Sequence, residues 1–557
     1  MFFSTSQKAD PSVPLPALVD DGSLEWDEEA AIVVVGLGGA GACVALEARE
    51  QGDDVFAVER FRGGGATAIS GGIYYAGGGT PIQKEAGIED SPENMLAYLR
   101  HEVRDVVKES TLRAFCEQSV ENFRWLQEQG VPFEASLCPF KTSYPNNDYF
   151  LYYSGNEGYP PWNQDARPAP RGHRARGKGV SGAAFFAPLR KRVLEEGVRV
   201  SWQSTVRRII KDPGGRVTGV EYHCIRAGSA AAWLHDRLFR LMIFLRYVNI
   251  FMLTVSRLIE GCINLLEARA TRVRRVRARK GVVLAGGGFV FNKAMVERHA
   301  PGHRAGMPLG TIADNGLAIR LGQAAGGATA HMSRISAWRF INPPAAFARG
   351  VLVDQTGRRI CNEMLYGDTI GAGLFRNGSG KGYLIIDQPL WWQAFRQLRG
   401  NLWFQTMGGV LYLFAERKKS GDLMSLARKV GIPGETLRET VAAYNQIALE
   451  EAPDPLGKPA GYHSPLRKPP FYALDVSFDA RLVPCPSLTL GGLQVDEDSG
   501  LVLDEQGAAV PGLYSAGRNA VGVSSWGYVS GLSIADCVFS ARRAARHAHR
   551  YGGRPAH

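Results

Sequence analysis

Uninterrupted apolar runs followed by glycine are the strongest pattern in this chain. Residues 31–35 are apolar throughout, and a glycine turn with the spacing GxGxxG follows at once, before an alanine-rich stretch. Such a run bounded by glycine indicates a buried strand of a parallel sheet, and the alanine-rich stretch favours a helix. The pattern predicts a turn that binds a dinucleotide. Gly36 permits the tight turn, Gly38 lets the backbone approach a pyrophosphate, and Gly41 allows helix and strand to pack closely.

A second predicted strand, residues 54–59, is apolar at positions 55–58 and ends on a carboxylate. Glu59 follows the glycine turn by about twenty residues, the spacing at which an acidic side chain accepts hydrogen bonds from an adenosine ribose. A loop rich in glycine and serine comes next, which NAD does not require and which suits the longer ribityl-pyrophosphate of a flavin. These segments predict FAD as the cofactor, bound by Gly36, Gly38, Gly39, Ala40, Gly41, Glu59, Arg60, Ala66, Thr67, Ser70, Gly71 and Gly72.

Two more apolar runs that end in glycine stand far downstream. Residues 281–289 read GVVLAGGGF, and residues 511–518 read PGLYSAGR. If both meet the same cofactor, the domain that binds it is discontinuous in sequence. The charge of Arg518 can favour an anionic reduced flavin, or it can pair with a surface acid. The predicted cofactor site therefore also includes Gly286, Gly287, Gly517 and Arg518.

A helical insertion interrupts a predicted hairpin. Strand patterns at 216–224 and 273–284 would normally connect through a short turn, yet about forty-five residues intervene. Residues 238–266 contain no proline and one glycine, which predicts one or two helices. At about 100° per residue, an apolar face comprises Phe244, Val248, Phe251, Val255, Leu258, Ile259, Cys262 and Leu266. The opposite face comprises Arg246, Asn249, Ser256, Arg257, Glu260, Asn264 and Glu267.

This insertion has too few uncharged residues to cross a bilayer. Its longest uncharged stretch, 247–256, has ten residues, against the ~20 that a span requires. We therefore expect residues 228–275 to lie on a membrane surface as an amphipathic helical element. A dimer-forming helix and a helix packed on its own protein are the alternatives.

Charge supports the same expectation. The chain has 557 residues, of which 45% are hydrophobic, and a net charge of +11 at pH 7. Residues 237–280 hold eleven Lys and Arg against two Glu, so that segment carries +9 and the remainder is close to neutral. A general nucleic-acid-binding surface is therefore excluded, and the basic segment predicts contact with anionic headgroups.

The cysteines and the N-terminus bear on location. Eight cysteines are scattered without CxxC or a Cys/His cluster, which argues against a metal site and a disulfide framework and fits a reducing cytoplasm. The first 26 residues are polar, acidic and rich in proline, and lack the apolar core of a secretory signal. We expect residues 1–26 to be a flexible arm and the protein to be cytoplasmic, peripheral on the inner membrane face.

The order of the motifs resembles that of the FAD-dependent fumarate reductase and 3-ketosteroid dehydrogenase superfamily. These motifs are the GxGxxG turn, SGG at 70–72, GVVLAGGGF at 281–289, DNG at 314–316, GRRICNE at 357–363 and GLYSAG at 512–517. The resemblance covers roughly residues 30–550 and implies an α/β fold. A discontinuous Rossmann-like FAD-binding domain would occupy residues 27–300 and 481–557, with an inserted α+β capping domain in 301–480. It adds Asp314, Ser533 and Ile534 to the expected cofactor site.

Reactive residues separate the branches of this superfamily. In the fumarate-reducing branch an arginine four positions after the Glu of RxxNE delivers a proton, but here that position is Gly367. A tyrosine precedes it, and residues 527–531 read GYVSG. This combination of NExxY with GYxSG resembles the 3-keto-Δ4-(5α)-steroid dehydrogenases, in which a tyrosine near the flavin removes a proton next to the 3-ketone. The resemblance implies four catalytic residues: Tyr528, Tyr366, Ser530 and Gly531.

The chemistry of such a desaturation explains these residue types. A base removes the acidified hydrogen next to the ketone, a donor binds the ketone oxygen, and the flavin N5 accepts a hydride. A free phenol titrates near ~10 and is a poor base at neutral pH. Tyr528 as the base therefore needs hydroxyl groups that relay the proton, here Ser530 and Tyr366. Backbone amides near Gly531 are the expected partners of the ketone oxygen.

Several alternatives stay open at this stage. A Δ1-dehydrogenase would desaturate another bond, although its Tyr-Pro-Gly-x-Gly run is absent at the corresponding site. A flavin ene-reductase acting on an enone would share every motif, and a membrane-bound flavoprotein scaffold would need no catalysis. The expected partners are a steroid or sterol, an external electron acceptor such as a quinone, and possible further copies of the chain. FAD should be non-covalent, because residues 66–72 contain no His or Cys.

Overall fold

The apolar runs form the middle of a nine-stranded sheet. The computed structural model describes residues 15–248, 253–376 and 379–552. Within these ranges the strands are β1 (Leu18–Val19), β2 (Glu28–Val35), β3 (Val55–Val58), β4 (Ile73–Tyr75), β5 (Leu151–Tyr152), β6 (Gly172–Arg174), β7 (Arg199–Ser201), β8 (Ser204–Lys211), β9 (Val217–Ile225), β10 (Thr271–Leu284), β11 (Met307–Pro308), β12 (Thr329–Ala330), β13 (Ile335–Ala337), β14 (Val351–Val353), β15 (Tyr383–Ile386), β16 (Arg417–Ser420), β17 (Phe471–Asp475), β18 (Pro486–Thr489), β19 (Gly492–Leu493), β20 (Leu501–Leu503) and β21 (Ala509–Ser515).

Helices connect these strands and pack against the sheets. They are α1 (Gly39–Glu50), α2 (Gly65–Ile69), α3 (Pro81–Glu85), α4 (Pro92–Val103), α5 (Glu109–Glu117), α6 (Ser119–Glu128), α7 (Trp162–Asp165), α8 (Gly182–Glu195), α9 (Ala230–Val248), α10 (Leu253–Arg269), α11 (Lys293–His299), α12 (Leu317–Ala324), α13 (Gly367–Leu374), α14 (Gln388–Arg396), α15 (Trp403–Phe414), α16 (Leu423–Val430), α17 (Gly434–Glu450) and α18 (Leu532–Tyr551).

The three glycine turns lie together at the carboxyl ends of the parallel strands of the large sheet. The strand order is β1–β8–β9–β10–β2–β3–β7, and β21 pairs with the carboxyl end of β10. Strands β2, β10 and β21 run parallel, and Leu284 of β10 pairs with both Val35 of β2 and Ser515 of β21. Because paired residues lie side by side, the glycines that follow these strands meet at one edge. The predicted α/β fold, in which the large sheet is built from segments that are distant in sequence, is confirmed.

A second core lies within the range predicted for the cap. The sheet β14–β15–β17–β16 packs with α13 to α17 around buried residues between Ile341 and Val476. The predicted range of 301–480 also contains α12, whose Ile319 and Leu321 belong to the core of the large sheet. The cap core is therefore shorter at its start than the sequence suggested, because α12 follows a motif that serves the large sheet.

The predicted arm, residues 1–26, is bound to the body over its described part. Strand β1 pairs in parallel with β8 at the edge of the large sheet. Trp26 lies against Gly219, where a Cβ would come within 2.6 Å of the indole ring. The expectation of a flexible arm is therefore wrong for this part, because its backbone pairs with β8 and Trp26 packs on Gly219. Residues 1–14 lie outside the described residues.

The insertion consists of two helices, as predicted, and one side of it faces the protein. Ile225 pairs with Thr271 across the insertion, and α9 and α10 occupy the intervening residues. The side chains of residues 246–254, which include four of the predicted face residues, lie outside the described part. A small core joins the insertion to the body and comprises Phe61, Phe239, Met242, Ile259, Ile263 and Ile312.

The predicted division of the insertion into an apolar and a polar face is wrong for several residues. Asn264 and Glu267, predicted to face away from the apolar side, both accept hydrogen bonds from Arg60 of the body. Leu258 and Ile259, predicted to share the apolar face, are 67% and 7% exposed, and Ile259 packs on the body beside Phe61. The reason is that a largely buried guanidinium needs acceptors, and α10 supplies them by turning its polar residues inward.

Ion pairs neutralise much of the basic run at the end of the insertion. Four of its residues bind carboxylates that are remote in sequence: Arg274 binds Asp27 and Glu28, Arg275 binds Glu221, Arg279 binds Glu29 and Asp54, and Lys280 binds Asp53. The charge counted along residues 237–280 therefore overstates the charge of this surface. Among the described residues, no helix is long and apolar enough to cross a membrane.

Candidate active site

A cavity opens at the sheet edge where the glycine turns meet. It encloses about 950 Å³, its open mouth included. The predicted cofactor residues that line it are Gly36, Gly38, Gly39, Ala40, Glu59, Arg60, Ala66, Thr67, Gly286, Gly287, Asp314 and Arg518. Outside this lining lie Gly41, Ser70, Gly71, Gly72, Gly517, Ser533 and Ile534. For the residues of both groups, contact with the cofactor stays a prediction.

Three glycines shape the turn before α1. Gly36 has φ +93°, and a Cβ there would lie 2.8 Å from the carbonyl oxygen of Ala285. A Cβ at Gly41 would lie 1.9 Å from the carbonyl oxygen of Gly36, so a side chain there would force α1 away from β2. At Gly38 the nearest atom to a Cβ is the carbonyl oxygen of Gly64, 3.9 Å away. The protein itself tolerates a side chain at Gly38, and the space in front of it is free for a ligand.

Glu59 holds this turn from the neighbouring strand. One carboxylate oxygen accepts a hydrogen bond from the Leu37 amide at 2.7 Å, and the other accepts from the Phe61 amide at 2.8 Å. Burial raises the pKa of the Glu59 carboxyl, and the backbone hydrogen bonds act against that shift. Since Glu59 also lines the cavity, its structural role is compatible with the predicted contact to a ribose.

Arg518 pairs with an acid in the cavity wall. Its Nη2 lies 2.6 Å from Oδ1 of Asp314, whose other oxygen accepts a hydrogen bond from the Thr311 amide at 2.9 Å. Of the two roles left open for Arg518, pairing with a surface acid is wrong, because Asp314 is buried. Cys537 also lines the cavity, and burial raises the pKa of its thiol to about 12. This thiol is protonated at neutral pH and is a poor nucleophile.

The helical insertion forms one wall of the same cavity. Phe239 of α9 lines the cavity and stacks on Phe61, with ring centroids 4.0 Å apart and ring planes at 9°. Next to Phe61, the guanidinium of Arg60 donates to Glu267 at 2.9 Å and to Asn264 at 3.0 Å. Sequence reasoning missed this wall, because Phe239 cannot be distinguished by pattern from other apolar residues of an amphipathic helix.

Three tyrosines surround Ser530. The hydroxyl of Tyr152 lies 2.9 Å from Ser530 Oγ, and Ser530 is near enough to Tyr366 to act against the rise in its pKa. The backbone amide of Gly531 acts in the same way on the pKa of Tyr528. Burial raises the pKa of all three phenols above the ordinary range. The four residues predicted to be catalytic are thus neighbours, and Tyr152, which no motif indicated, joins them.

Buried polar groups fix the backbone of two of these tyrosines. Asp368 accepts a hydrogen bond from the Tyr528 amide at 3.1 Å, and Asn156 Oδ1 accepts from the Tyr366 amide at 2.7 Å. Burial raises the pKa of Asp368 to about 6. Asn156 in turn donates to Glu102, whose pKa burial raises to about 7. The tyrosines are therefore held by a network that is largely closed to water.

Apolar side chains enclose the phenols of Tyr528 and Tyr366. The ring centroid of Trp338 lies 4.6 Å from that of Tyr528, and the centroid of Phe340 lies 6.0 Å from that of Tyr366. The same cluster includes Leu309, Leu488 and Leu490. The indole nitrogen of Trp338 is buried and has no hydrogen-bond partner in the part of the chain that the structure describes. A buried indole N–H without a partner, surrounded by apolar side chains, suits an apolar ligand that carries an oxygen.

The space beside Gly367 is already filled. A Cβ at Gly367 would lie 2.6 Å from Cδ1 of Phe340. The neighbouring cation, Arg339, is buried and donates to the backbone oxygens of Ser477 at 2.6 Å and Val483 at 3.0 Å. The arginine that a dicarboxylate reductase would place at position 367 is absent, and an aromatic ring takes its space.

The chain belongs to the FAD binding domain family, whose family model matches residues 31–534. The predicted resemblance and the predicted cofactor, FAD, are thereby confirmed. Among curated proteins, the chain is similar to the 3-oxo-5-alpha-steroid 4-dehydrogenase of Comamonas testosteroni. The two are 37% identical over 527 residues, which are 90% of this chain and 96% of the relative.

Solved structures show the same relationship. The 3-ketosteroid-delta4-(5alpha)-dehydrogenase from Rhodococcus jostii RHA1, in complex with 4-androstene-3,17-dione, superposes with a TM-score of 0.79 at 31% identity, covering 96% of this chain and all of that one. The 3-ketosteroid delta1-dehydrogenase from Sterolibacterium denitrificans has a TM-score of 0.67 at 20% identity, covering 94% of this chain and 99% of that one. At this identity the second match supports the fold alone.

Gly38→Ala is expected to remove FAD without unfolding the protein, because the added methyl enters space that only the cofactor needs. We expect FAD to bind the purified variant about tenfold more weakly or worse, measured by titration of the apoprotein, with the larger Gly38→Val weaker still. Gly421→Ala is the matched control, since a Cβ there meets no atom within 4 Å. A Gly38→Ala protein that purifies with a full complement of flavin would contradict the assignment of this turn.

Phe239→Ala is expected to weaken FAD binding by about tenfold, because truncation opens the wall that the insertion provides and removes apolar contact area. Glu267→Gln should act in the same direction by weakening the bond that holds Arg60 to α10. Phe244→Ala is the control, an exposed phenylalanine on the same helix. Flavin titration of the apoproteins measures the effect, and equal affinities of the Phe239 and Phe244 variants would show that the insertion has no part in the cofactor site.

Proposed function

We propose that this protein is an FAD-dependent dehydrogenase that introduces a C4–C5 double bond into a 3-ketosteroid. The observation that carries the proposal is the position of Tyr528, Tyr366 and Ser530 in one buried, largely apolar cluster, where Tyr528 is near enough to Arg518 of the cavity wall for its positive charge to act on the phenol. The relatives from Comamonas testosteroni and Rhodococcus jostii, both named as dehydrogenases of this bond, support it.

Tyr528 is the proposed base for the hydrogen next to the ketone. Bound FAD supplies the hydride acceptor for the neighbouring carbon. Burial favours the neutral phenol, so the proton must leave Tyr528 as it arrives, and the hydroxyls of Ser530, Tyr366 and Tyr152 offer the path. The Gly531 amide and the positive charge of Arg518 both act to lower the pKa of Tyr528 and so stabilise its charged form.

The ketone oxygen needs a donor while negative charge develops on it. Backbone amides near Gly531 are the predicted donors, although the Gly531 amide itself already acts on the phenol of Tyr528, whose pKa it lowers. The unsatisfied indole N–H of Trp338 is the further group that the pocket offers, beside the same tyrosine. A carbonyl that bonds to this indole would be held close to the proposed base.

The pocket opposes a dicarboxylate substrate. A side chain at position 367 would collide with Phe340, and both Nη atoms of Arg339 already donate, to the backbone oxygens of Ser477 and Val483 and to the Tyr412 hydroxyl. A fumarate-type ene-reductase is therefore disfavoured relative to the steroid reaction. The Δ1-dehydrogenase alternative differs only in the bond oxidised, and product analysis separates the two. A scaffold without catalysis would leave the buried tyrosine cluster without a purpose.

The electrons leave to an external acceptor, which we propose to be a quinone or a similar carrier. We also propose that the protein is cytoplasmic and rests on the inner membrane face. The proposed membrane contact is through residues 237–280, the basic segment that includes most of the insertion. Four exposed apolar side chains of the insertion support it, namely Leu241, Phe244, Leu258 and Leu265. A homo-oligomer through the same face is the competing use of these residues.

Tyr528→Phe is expected to lower turnover of a 5α-saturated 3-ketosteroid by about 10²-fold or more, because it removes the proposed base while keeping the ring that packs on Trp338. FAD should stay bound. Tyr551→Phe, at an exposed site, is the control. Turnover is followed by anaerobic bleaching of the flavin and by mass analysis of the product. Unchanged turnover in Tyr528→Phe would refute the base, and a C1–C2 double bond in the product would refute the regiochemistry.

A further inference from the structure

Two helices of the cap present an aromatic surface to solvent. On α14 and α15, six large apolar side chains are between 36% and 53% exposed. We call this group the cap surface: Trp392, Phe395, Trp403, Phe404, Met407 and Phe414.

Helix α15 is apolar on both of its sides. Its inner side buries Gly409, Tyr412 and Leu413 against the cap core. Its outer side carries the exposed Trp403, Met407 and Phe414, at helical spacing. A helix that is apolar all round is normally covered on both sides, by protein or by lipid. The outer side of α15 is therefore a surface that needs a cover.

The charge around the cap surface favours an anionic cover. Residues 388–430 contain seven Lys and Arg against two acidic residues. Lys418 and Lys419 are exposed on β16, and Arg417 lies over the rings of Trp391 and Phe414, each 5.5 Å from the ring centroid. A two-fold contact with a second copy would bring two such basic surfaces together with few acidic residues to pair with them. Anionic lipid headgroups would instead neutralise them.

The cap surface adjoins the loop predicted to bind the flavin. Phe404 contacts Tyr144, with ring centroids 6.1 Å apart, and Gln405 Nε2 donates to the Tyr144 carbonyl oxygen at 2.9 Å. The Tyr144 hydroxyl donates in turn to the carbonyl oxygen of Gly71 at 2.8 Å. One residue thus connects the start of α15 to the predicted flavin loop.

We propose that the cap surface docks on an anionic bilayer with α15 lying in the interface, so that an apolar substrate passes from lipid into the pocket. With twelve residues, α15 is about 18 Å long, too short to cross the ~30 Å of hydrocarbon. The aromatic rings enter the lipid, and the lysines and arginines at the rim meet the headgroups. The substrate-delivery part rests on the proposed steroid reaction, whereas docking itself does not.

Co-sedimentation of the FAD-loaded protein with vesicles tests the docking. The variant Trp403→Ser with Met407→Ser should bind phosphatidylcholine vesicles containing phosphatidylserine about tenfold more weakly or worse, because two exposed apolar anchors are lost. Neither residue touches the tyrosine cluster, so turnover of a soluble short-chain steroid should stay unchanged while turnover of a vesicle-embedded sterol falls. Phe244→Ser with Leu258→Ser, on the insertion, is the matched comparison.

A charge variant provides the second arm. Lys418→Gln with Lys419→Gln should weaken binding to anionic vesicles and leave binding to pure phosphatidylcholine unchanged. The proposal is overturned if the cap variants sediment with vesicles as well as the parent, whether or not the insertion variant loses binding. It is also overturned if the parent is a dimer in solution that the Trp403 and Met407 variant dissociates, with no vesicle binding in either. Vesicle binding without steroid turnover would refute the proposed reaction alone.

Discussion

The parallel register of β2, β10 and β21 is the constraint on which the site depends. Val35, Leu284 and Ser515 stand side by side, so the chain must turn three times at one edge of the sheet. Only glycine allows that: a Cβ at Gly36 would meet the carbonyl of Ala285, and one at Gly41 would meet Gly36 itself. These glycines let the strand ends and α1 pack closely, and the cavity opens beside them, with walls added by segments from the rest of the chain.

Local patterns predicted most of this arrangement, and remote partners explain what they missed. The glycine turns and apolar strands depend on neighbours in sequence, so GxGxxG and GVVLAGGGF sufficed to place them. The insertion did not follow from its own periodicity, because Arg60 draws Glu267 and Asn264 inward from about two hundred residues away. The charge of residues 237–280 failed as a guide for the same reason, since carboxylates on distant strands pair with it. Tyr152 carried no motif, and only the fold brings it to Ser530.

The tyrosine site shows two opposing uses of burial. Exclusion of water raises the pKa of the phenols, which makes a free tyrosinate costly. The same exclusion of water strengthens the hydrogen bonds of the hydroxyl cluster. It also strengthens the hydrogen bonds that the backbone amides of Tyr528 and Tyr366 donate to Asp368 and Asn156. For Tyr528 as the proposed base, the arrangement therefore favours concerted proton transfer along the fixed hydroxyls and disfavours a long-lived tyrosinate. Precision in the position of each phenol then matters more than its individual acidity.

Phe340 occupies the space that a side chain at position 367 would enter. An arginine at position 367 cannot enter while the ring of Phe340 lies 2.6 Å from where its Cβ would be. Removing the ring first would leave a void beside Tyr366, and Phe→Ala changes in cores commonly cost about 3–5 kcal/mol. Each change alone is therefore expected to destabilise the protein. The two positions should be epistatic, because the effect of a substitution at one depends on the residue at the other.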